Sequence, residues 1–353
     1  MKTANPTIRL LAYGLCLATA LYNCKSKDVD SLTPFTYVFP GITATKLPTV
    51  TPTAPAAVSV TAATVTSSTA AAAVSAGLAG LNASSTTVPA VVTQAATDVN
   101  KAISAQAAAQ LSASFTPEVI NTMVTTGALP ADLKAQLATL SSNPALKAYL
   151  PTFTLPTVDG KAIGGRLGAV AAVTIVGALA AANATLDDDA CKAAANTAYN
   201  TALTTLKADQ ASQTAVINAA FTALQTSITA ESAPCKAGVP AKYAPLRSVT
   251  QQAFTSGMAN LDANKALLGE TFYTALRLLY LAALSDANTL FTKLEAAEVS
   301  ACDAVGAAKL AKAQAARDGD LSKINGNYNA ALGTLNAGLA KAVASCHNQG
   351  NGG

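Results

Sequence analysis

Histidine, tryptophan and charge are scarce in this chain of 353 residues, and each shortage bears on function. The single histidine is His347, so a metal site built from several histidines is excluded, and a Ser-His-Asp or Cys-His catalytic site would need that residue. Tryptophan is absent, and charged residues make up 12% of the chain. These charges are dispersed along the sequence, which does not support the basic surface that nucleic-acid binding requires.

Alanine and threonine dominate instead, with 82 and 43 residues. The hydrophobic share is 51%, but much of it is alanine, whose side chain buries little apolar area. The composition therefore predicts a thin core and a weakly charged surface. Since no set of catalytic residue types stands together in the sequence, we expect no enzymatic activity, no cofactor and no metal ion.

The N-terminus has the pattern of an export signal. Lys2 and Arg9 precede an uncharged stretch of 13 residues, 10–22, which has the length of a signal-peptide core and is too short to span a bilayer. The stretch leads into Leu21-Tyr22-Asn23-Cys24. A leucine three residues before a cysteine resembles the lipobox of bacterial lipoproteins, here in the relaxed form typical of spirochaetes.

The resemblance implies that 1–23 is removed as a signal peptide and that Cys24 carries the lipid. The protein would then be exported and anchored to the cell envelope, in the outer membrane, on its periplasmic or its outer face. The alternative is cleavage after Ala18-Thr19-Ala20, which would release a soluble protein. The cysteine count favours lipidation: with Cys16 removed and Cys24 acylated, the remaining four cysteines form an even set.

The sequence organisation predicts an all-α protein behind a flexible tether. Prolines recur among Thr, Ser and Ala in 24–68, which favours a disordered linker after the lipid anchor. The pattern predicts an irregular helical region over 69–160, a helical bundle over 161–347 and a flexible tail at 348–353.

The bundle contains an internal repeat. Cys191 and Cys235 are 44 residues apart, and so are Cys302 and Cys346. A shift of 111 residues superposes the two segments, and both show the apolar periodicity of a helix. Each segment is therefore predicted to be a helical hairpin with a cysteine at each open end.

Polar residues at the middle of each segment would form the hairpin turns, at Ala208-Asp209-Gln210 in 191–235 and at Asp318-Gly319-Asp320 in 302–346. Antiparallel arms would bring the two cysteines of each hairpin together. Of the three possible pairings we therefore favour Cys191–Cys235 and Cys302–Cys346, as structural disulfides in an oxidising compartment.

Three further segments are predicted as helices. Thr116-Pro117-Glu118 supplies an N-cap, an N1 proline and an early acid, and Gly127 would end that helix. Segment 249–299 is predicted as a nearly continuous core helix rather than a lipid or ligand groove. Its apolar stripe consists of Phe272, Tyr273, Leu276, Leu279, Tyr280, Ala283 and Leu284. Small residues recur in 160–186, where a closely packed buried helix competes with membrane insertion or self-association. Its uncharged part, 167–186, has about the length of a bilayer core.

Other polar features have simple structural explanations. Asp187-Asp188-Asp189 is expected to cap the following helix rather than bind a cation. Glu295 and Glu298 share a helical face, and we expect that face to be solvated rather than to form an acid/base pair. His347 follows Cys346 directly, and adjacent helical side chains do not face each other.

Together these observations predict a lipid-anchored envelope or surface protein with a structural or partner-binding role. Its contacts would be the membrane, through Cys24, and an unidentified protein, with self-association as a further option. A membrane-inserting or self-associating protein acting through 160–186 is the alternative, and an enzyme of unknown class is the third.

Overall fold

The computed structural model describes residues 37–163, except Ala83, and residues 190–346. The described chain is mostly α-helical with a few short strands, which confirms the predicted all-α class. Several predicted features lie outside the described residues: the signal peptide 1–23, Cys24, the small-residue stretch from 164 onward, Asp187-Asp188-Asp189, His347 and the tail 348–353.

Short helices fill much of the chain between 69 and 149, as the spacing of proline and glycine predicts. Ser68, Ser104 and Thr116 each accept a hydrogen bond from an N–H group in the first turn of the helix that follows. The helices are α1 Thr69–Ala79, α2 Ala90–Ala102, α3 Ala105–Ala113, α4 Pro117–Thr126 and α5 Ala131–Ser141, with a 3₁₀ turn at Lys147–Tyr149.

Helix α4 is bounded as the sequence predicts. Thr116 is its N-cap, Pro117 its first residue, and Gly127 ends it with a φ of 72°, in the left-handed region that glycine enters without strain. The side-chain amide of Asn288 donates to the Met123 carbonyl near the end of this helix. The C-terminus of α4 is thus fixed by its own glycine and by a side chain from a distant segment.

Within the described residues, five short strands form two small antiparallel sheets, which the sequence did not predict. They are β1 Val60–Thr61, β2 Thr64–Thr66, β3 Thr152–Thr154, β4 Thr157–Val158 and β5 Lys161–Ala162. One sheet has the order β1-β4-β5, with Val60 opposite Val158. The other pairs β2 with β3, with Val65 opposite Phe153.

A two-residue turn joins β4 to β5. Asp159 and Gly160 both have positive φ, 48° and 76°, the conformation that suits a tight hairpin. Gly160 was expected to begin the row of small residues on a helix. That part of the prediction is wrong, because the Asp-Gly pair is a strong turn signal next to strand-forming residues.

Two long helices follow: α6, Ala190–Ala263, and α7, Lys265–Cys346. The chain reverses between Asn264 and Gly269, and Gly269 interrupts the helical backbone early in α7, with a φ of 68° and a ψ of 162°. The segment 249–299 is nearly continuously helical, as predicted, but it belongs to two helices and not to a single one.

The described residues divide into two compact units, and α6 and α7 contribute to both. The smaller unit contains residues 37–50, 190–215 and 321–346. The larger unit contains residues 51–163 and 216–320.

The larger unit has a core of leucine and aromatic side chains. Leu276, Leu279 and Leu284, from the stripe predicted as core, are buried and pack with residues of the short helices. Arg277 lies among them and donates hydrogen bonds to the carbonyl oxygens of Ser112 and Phe115, at the end of α3. The prediction of core rather than ligand groove is confirmed for Leu276 and Leu279, whereas Leu284 is buried but also borders a cavity.

The smaller unit has a much thinner core. Its buried apolar cluster consists of Ile42, Ala195, Ala202, Leu335 and Ala342. Leu47, Leu206 and Ile324 are also buried in this unit. Alanine lets α6 and α7 approach closely but removes little apolar surface from water.

The disulfides do not follow the predicted pairing. Cys191 bonds Cys346 in the smaller unit, and Cys235 bonds Cys302 in the larger unit. All four cysteines predicted to form disulfides do so, but the pairs Cys191–Cys235 and Cys302–Cys346 are wrong. The two segments of the repeat are not separate hairpins: in each unit one segment pairs antiparallel with the other.

The equal spacing of the cysteines has a different physical origin from the one inferred. In two antiparallel helices joined at Cys191 and Cys346, the residue 44 positions after Cys191 lies opposite the residue 44 positions before Cys346. These two residues are Cys235 and Cys302, which form the second cystine. The same spacing would result from two hairpins, so spacing alone does not distinguish the two arrangements. The chain reverses at 264–269 and not at the polar midpoints of the two segments.

Candidate functional site

The four cysteines of the described chain are structural groups: Cys191, Cys302 and Cys346 are buried, and Cys235 is exposed. The Cα–Cα distances are 5.7 Å for Cys191–Cys346 and 5.9 Å for Cys235–Cys302, in the ordinary range for disulfides. Each cystine joins α6 to α7. These residues therefore have a structural role, and Cys24, the predicted lipidation site, lies outside the described residues.

An extended segment, residues 41–59, binds along the long helices; we call it the strap. In the smaller unit the Leu47 N–H donates to Asp209 Oδ2 at 2.8 Å, and the Val50 N–H donates to Gln213 Oε1 at 3.1 Å. The Leu47 side chain is 3% exposed. These contacts fix both the backbone and a side chain of the strap.

The strap is also bound in the larger unit. Asp320 is 1% exposed, and its carboxylate accepts from the Thr53 N–H and the Thr53 hydroxyl, both at 2.7 Å. Asp209 and Asp320 are equivalent positions of the internal repeat, and both were assigned to hairpin turns. They lie instead within continuous helices, where each accepts a backbone N–H group of the strap.

The end of the strap meets a small cluster of charges. Lys312 Nζ donates to the Ala57 carbonyl at 2.7 Å and forms a 2.9 Å ion pair with Asp159, which also accepts the Ser59 N–H. The hydrogen bond from Lys312, followed by that from Ser59, lowers the pKa of Asp159. Of the tether predicted over 24–68, the described part is extended, as its proline content suggests, but its strap is held by helix side chains.

Glu295 and Glu298 bind neighbouring groups instead of forming an acid/base pair. Glu295 forms an ion pair with Arg247 at 2.9 Å. Glu298 pairs with Lys242 and accepts the Ala63 N–H at 3.0 Å. The predicted solvated face is therefore wrong, because both carboxylates are partly buried and are held by partners from other segments.

Ion pairs to α7 also surround a stretch of α6 that contains three prolines inside the helix, Pro234, Pro240 and Pro245. An interior proline removes a helical hydrogen bond and costs about 3 kcal/mol. Here the Cys235–Cys302 cystine and the neighbouring ion pairs hold the helix in place.

The larger unit contains a cavity of about 450 Å³, which we call the apolar pocket. Its walls come from β2, the first half of α1, the 3₁₀ turn and facing stretches of α6 and α7. The lining side chains are Val65, Ser67, Ser68, Ala71, Ala72, Ser75, Tyr149, Pro151, Val249, Thr250, Ala253, Phe254, Tyr280, Ala283, Leu284, Ala287, Leu290 and Phe291.

A pair of hydroxyls lies in the wall of the apolar pocket. Ser75 Oγ and Tyr280 Oη are 3.0 Å apart, and either atom can be the donor. Burial raises the pKa of Tyr280, so this hydroxyl stays protonated at neutral pH. Gly257 admits the ring, because a Cβ on Gly257 would lie 2.3 Å from Tyr280 Cε1.

Sequence reasoning missed the apolar pocket. The stripe that contains Tyr280 and Ala283 was assigned wholly to the core, since apolar periodicity does not separate a packed face from one that lines a cavity. The alternation of alanine with aromatic residues was the available signal, but only the facing elements show that the alanines leave space.

The described residues contain no cluster suited to a metal ion and one helix that meets the length and composition criteria for crossing a membrane. Within 37–163 and 190–346 no three His, Cys, Asp or Glu side chains converge to hold a metal ion. Among the helices described, α7 alone is long and apolar enough to cross a membrane, and half of its most apolar stretch is buried inside the protein. A buried core helix meets the same length and composition criteria.

No family model, no curated protein and no solved structure matches this chain.

Proposed function

We propose that this protein is a lipid-anchored component of the cell envelope, attached through Cys24, with a structural or partner-binding role and no catalytic activity. The N-terminal pattern that resembles a lipobox motivates the anchor. The role assigned to the mature chain is that of a helical scaffold presented at a membrane surface.

One observation carries the proposal: the four described cysteines bond one another. Cys191, Cys235, Cys302 and Cys346 are fully used in two cystines. If 1–23 is removed, Cys24 is then the odd cysteine of the mature chain, free for acylation. Disulfides of this kind form and persist in oxidising compartments, which supports export.

The strap supports a scaffold role. It runs between the predicted anchor and the folded part of the chain, and carboxylates of the long helices hold its backbone in both units. Such contacts would fix where the folded part begins relative to a lipid on Cys24. Several acyl chains on one cysteine bind a membrane far more firmly than a single chain does.

Lipidation is tested by expressing the full chain in a lipoprotein-processing host as wild type and as Cys24→Ala. We expect wild type to enter the detergent phase and to carry acyl groups by mass spectrometry, and Cys24→Ala to remain aqueous. Cys16→Ala is the matched control, because Cys16 would leave with the signal peptide. Equal partitioning of wild type and Cys24→Ala, without acyl mass on either, would overturn the anchor.

The same variant separates the anchor from the alternative in which 160–186 inserts into the membrane. If Cys24→Ala stays with membranes through a carbonate wash, insertion is favoured over a lipid anchor. The partner-binding role is tested by crosslinking in intact envelopes followed by pull-down of the wild-type chain. A reproducible crosslinked protein, lost in a chain with both cystines removed, would support a scaffold that presents a folded surface.

A further inference from the structure

We infer that the apolar pocket binds a single hydrocarbon chain that carries an uncharged, hydrogen-bonding head group, as in a monoacylglycerol. This ligand is inferred from the residues that line the pocket and not from lipidation of Cys24. A test of the pocket is therefore independent of a test of the proposed anchor.

The size and character of the pocket fit a small lipid-like molecule. Its volume of about 450 Å³ lies within the range of small-molecule sites, which are mostly apolar with a few polar groups. Alanines from three helices, among them Ala71, Ala253 and Ala283, line it. Their short side chains keep open a space that larger residues would fill.

The walls argue against a charged ligand. None of the lining residues is Asp, Glu, Lys, Arg or His. The Arg247 guanidinium lies 5.3 Å from the centre of the Phe291 ring, but its Nε and Nη2 atoms bond Glu295. A carboxylate or ammonium ion in the pocket would lose hydration without gaining a partner of opposite charge.

The Ser75–Tyr280 hydroxyl pair supplies the polar contact. Two hydroxyls that share one hydrogen bond retain a second hydrogen and several lone pairs. Three other lining hydroxyls already donate within the protein: Tyr149 to Asp98, Thr250 to the Leu246 carbonyl and Ser68 to the Ala148 carbonyl. An ester carbonyl or an alcohol group can bond the spare hydrogen of the pair without any change of charge.

The pocket also has an apolar entrance. Val249 lines it and is 63% exposed, which is unusual for a large aliphatic side chain next to a cavity. A hydrocarbon chain that enters past Val249 would cover this side chain and meet Leu284 and Phe291 within.

Binding is tested with the full chain by displacement of the neutral fluorescent probe N-phenylnaphthylamine. Monolaurin, the glycerol monoester of a twelve-carbon acid, is the ligand, and laurate is its charged comparison. We expect saturable displacement by monolaurin at concentrations below micelle formation, with at least tenfold weaker displacement by laurate. No saturable displacement by monolaurin, or equal displacement by both, would overturn the assignment.

Two variants locate the site. Ala253→Trp places a large ring at the pocket from an exposed position, and we expect at least a tenfold loss of monolaurin affinity. Ala259→Trp is the matched control, since Ala259 is exposed on the same helix but does not line the pocket. Equal loss of affinity in both variants, with both folded by circular dichroism, would contradict this location.

The hydroxyl pair has its own test. Tyr280→Phe removes one hydroxyl and keeps the ring, and we expect monolaurin to bind roughly two- to tenfold more weakly, the effect of one hydrogen bond. Displacement by dodecane, which has no head group, should be unchanged. An equal loss for both ligands would mean that Tyr280 only shapes the cavity, and it would overturn the head-group assignment.

Discussion

The larger and the smaller unit contain the same two long helices but stabilise them by different means. In the larger unit, leucines of α7 pack against α6 and the short helices. In the smaller unit, three of the five buried residues in the apolar cluster are alanines, with Leu47, Leu206 and Ile324 buried beside them in the sequence ranges of the same unit. Because alanine buries little area, we expect the smaller unit to depend more on its cystine and on the strap than the larger unit does.

Both units nevertheless share the same two kinds of contact between distant segments, a disulfide and a hydrogen bond from the strap to an aspartate. Each has a cystine between α6 and α7, and each has an aspartate that accepts a backbone N–H of the strap. The difference between the units thus lies in the apolar core, while the covalent and polar contacts are shared. Four changes to the chain or its conditions test this comparison.

The largest effect is expected from removing a cystine. Replacing both Cys191 and Cys346 by Ser should cost about 4 kcal/mol, because it frees the unfolded chain and the thin core cannot compensate. Hydrogen exchange should then accelerate across 190–215 and 321–346. The matched variant, with Cys235 and Cys302 replaced, should leave most amides of the larger unit protected. Equal loss of protection in both units would contradict the comparison.

Removal of the strap acceptors should have the next largest effect. Asp320→Ala deletes a buried carboxylate that accepts two hydrogen bonds from Thr53, and we expect a loss of about 3 kcal/mol. Asp209→Ala removes one such bond, to Leu47, and should cost about 1 kcal/mol. Urea unfolding gives the stabilities, and exchange of the Thr53 and Leu47 amides locates the change. If the Thr53 and Leu47 amides stay protected in both variants, the two aspartates do not hold the strap on the helices.

A close backbone contact in the smaller unit gives a smaller effect. A Cβ on Gly338 would lie 2.0 Å from the Gly41 carbonyl oxygen, so Gly338→Ala should cost about 2 kcal/mol by forcing the strap from α7. Gly333→Ala on the same helix meets nothing within 4 Å and should stabilise by about 0.5 kcal/mol, since alanine favours helix. Thermal melts compare the two; a gain in stability for Gly338→Ala would argue against a tightly held strap.

Alkaline pH should act on the larger unit and have no effect near neutrality. Burial raises the pKa of Tyr149, Tyr243 and Tyr273 to about 12, with the acidic neighbours Asp98, Glu298 and Asp262 adding to the shift. The unfolded chain releases these protons near pH 10. The stabilisation is therefore complete below pH 10 and is lost as pH rises towards 12.

Peptide-resolved exchange at increasing pH should then show the larger unit loosening above pH 10. A Tyr243→Phe variant should lose less stability between pH 10 and pH 12 than wild type does, since phenylalanine has no proton to release. An unchanged alkaline profile in this variant would remove Tyr243 from the explanation.

Local sequence signals predicted local structure well. The N-cap, N1 proline and terminal glycine of α4 occur where the sequence places them, because these residues act on the backbone within one helical turn. The apolar stripe around Leu276 is core, as its periodicity indicates. The strands were missed because they are two or three residues long and depend on distant partners.

Long-range arrangement was predicted less well. Asp209 and Asp320 have the composition of turn residues, and in isolation that interpretation is reasonable. In the fold each binds the strap, more than 150 residues away in sequence, and the helices continue through them. The apolar pocket was missed for the same reason, since its walls come from four separated segments.

By itself the sequence determined the helical class, the caps, the even set of cysteines and the shortage of catalytic side chains. These properties depend on composition and on contacts within a few residues. The tertiary structure decided which cysteines pair, where the chain reverses and what the strap binds. Equal spacing of cysteines fits both two hairpins and one antiparallel pair, and only the packing of α6 against α7 separates them.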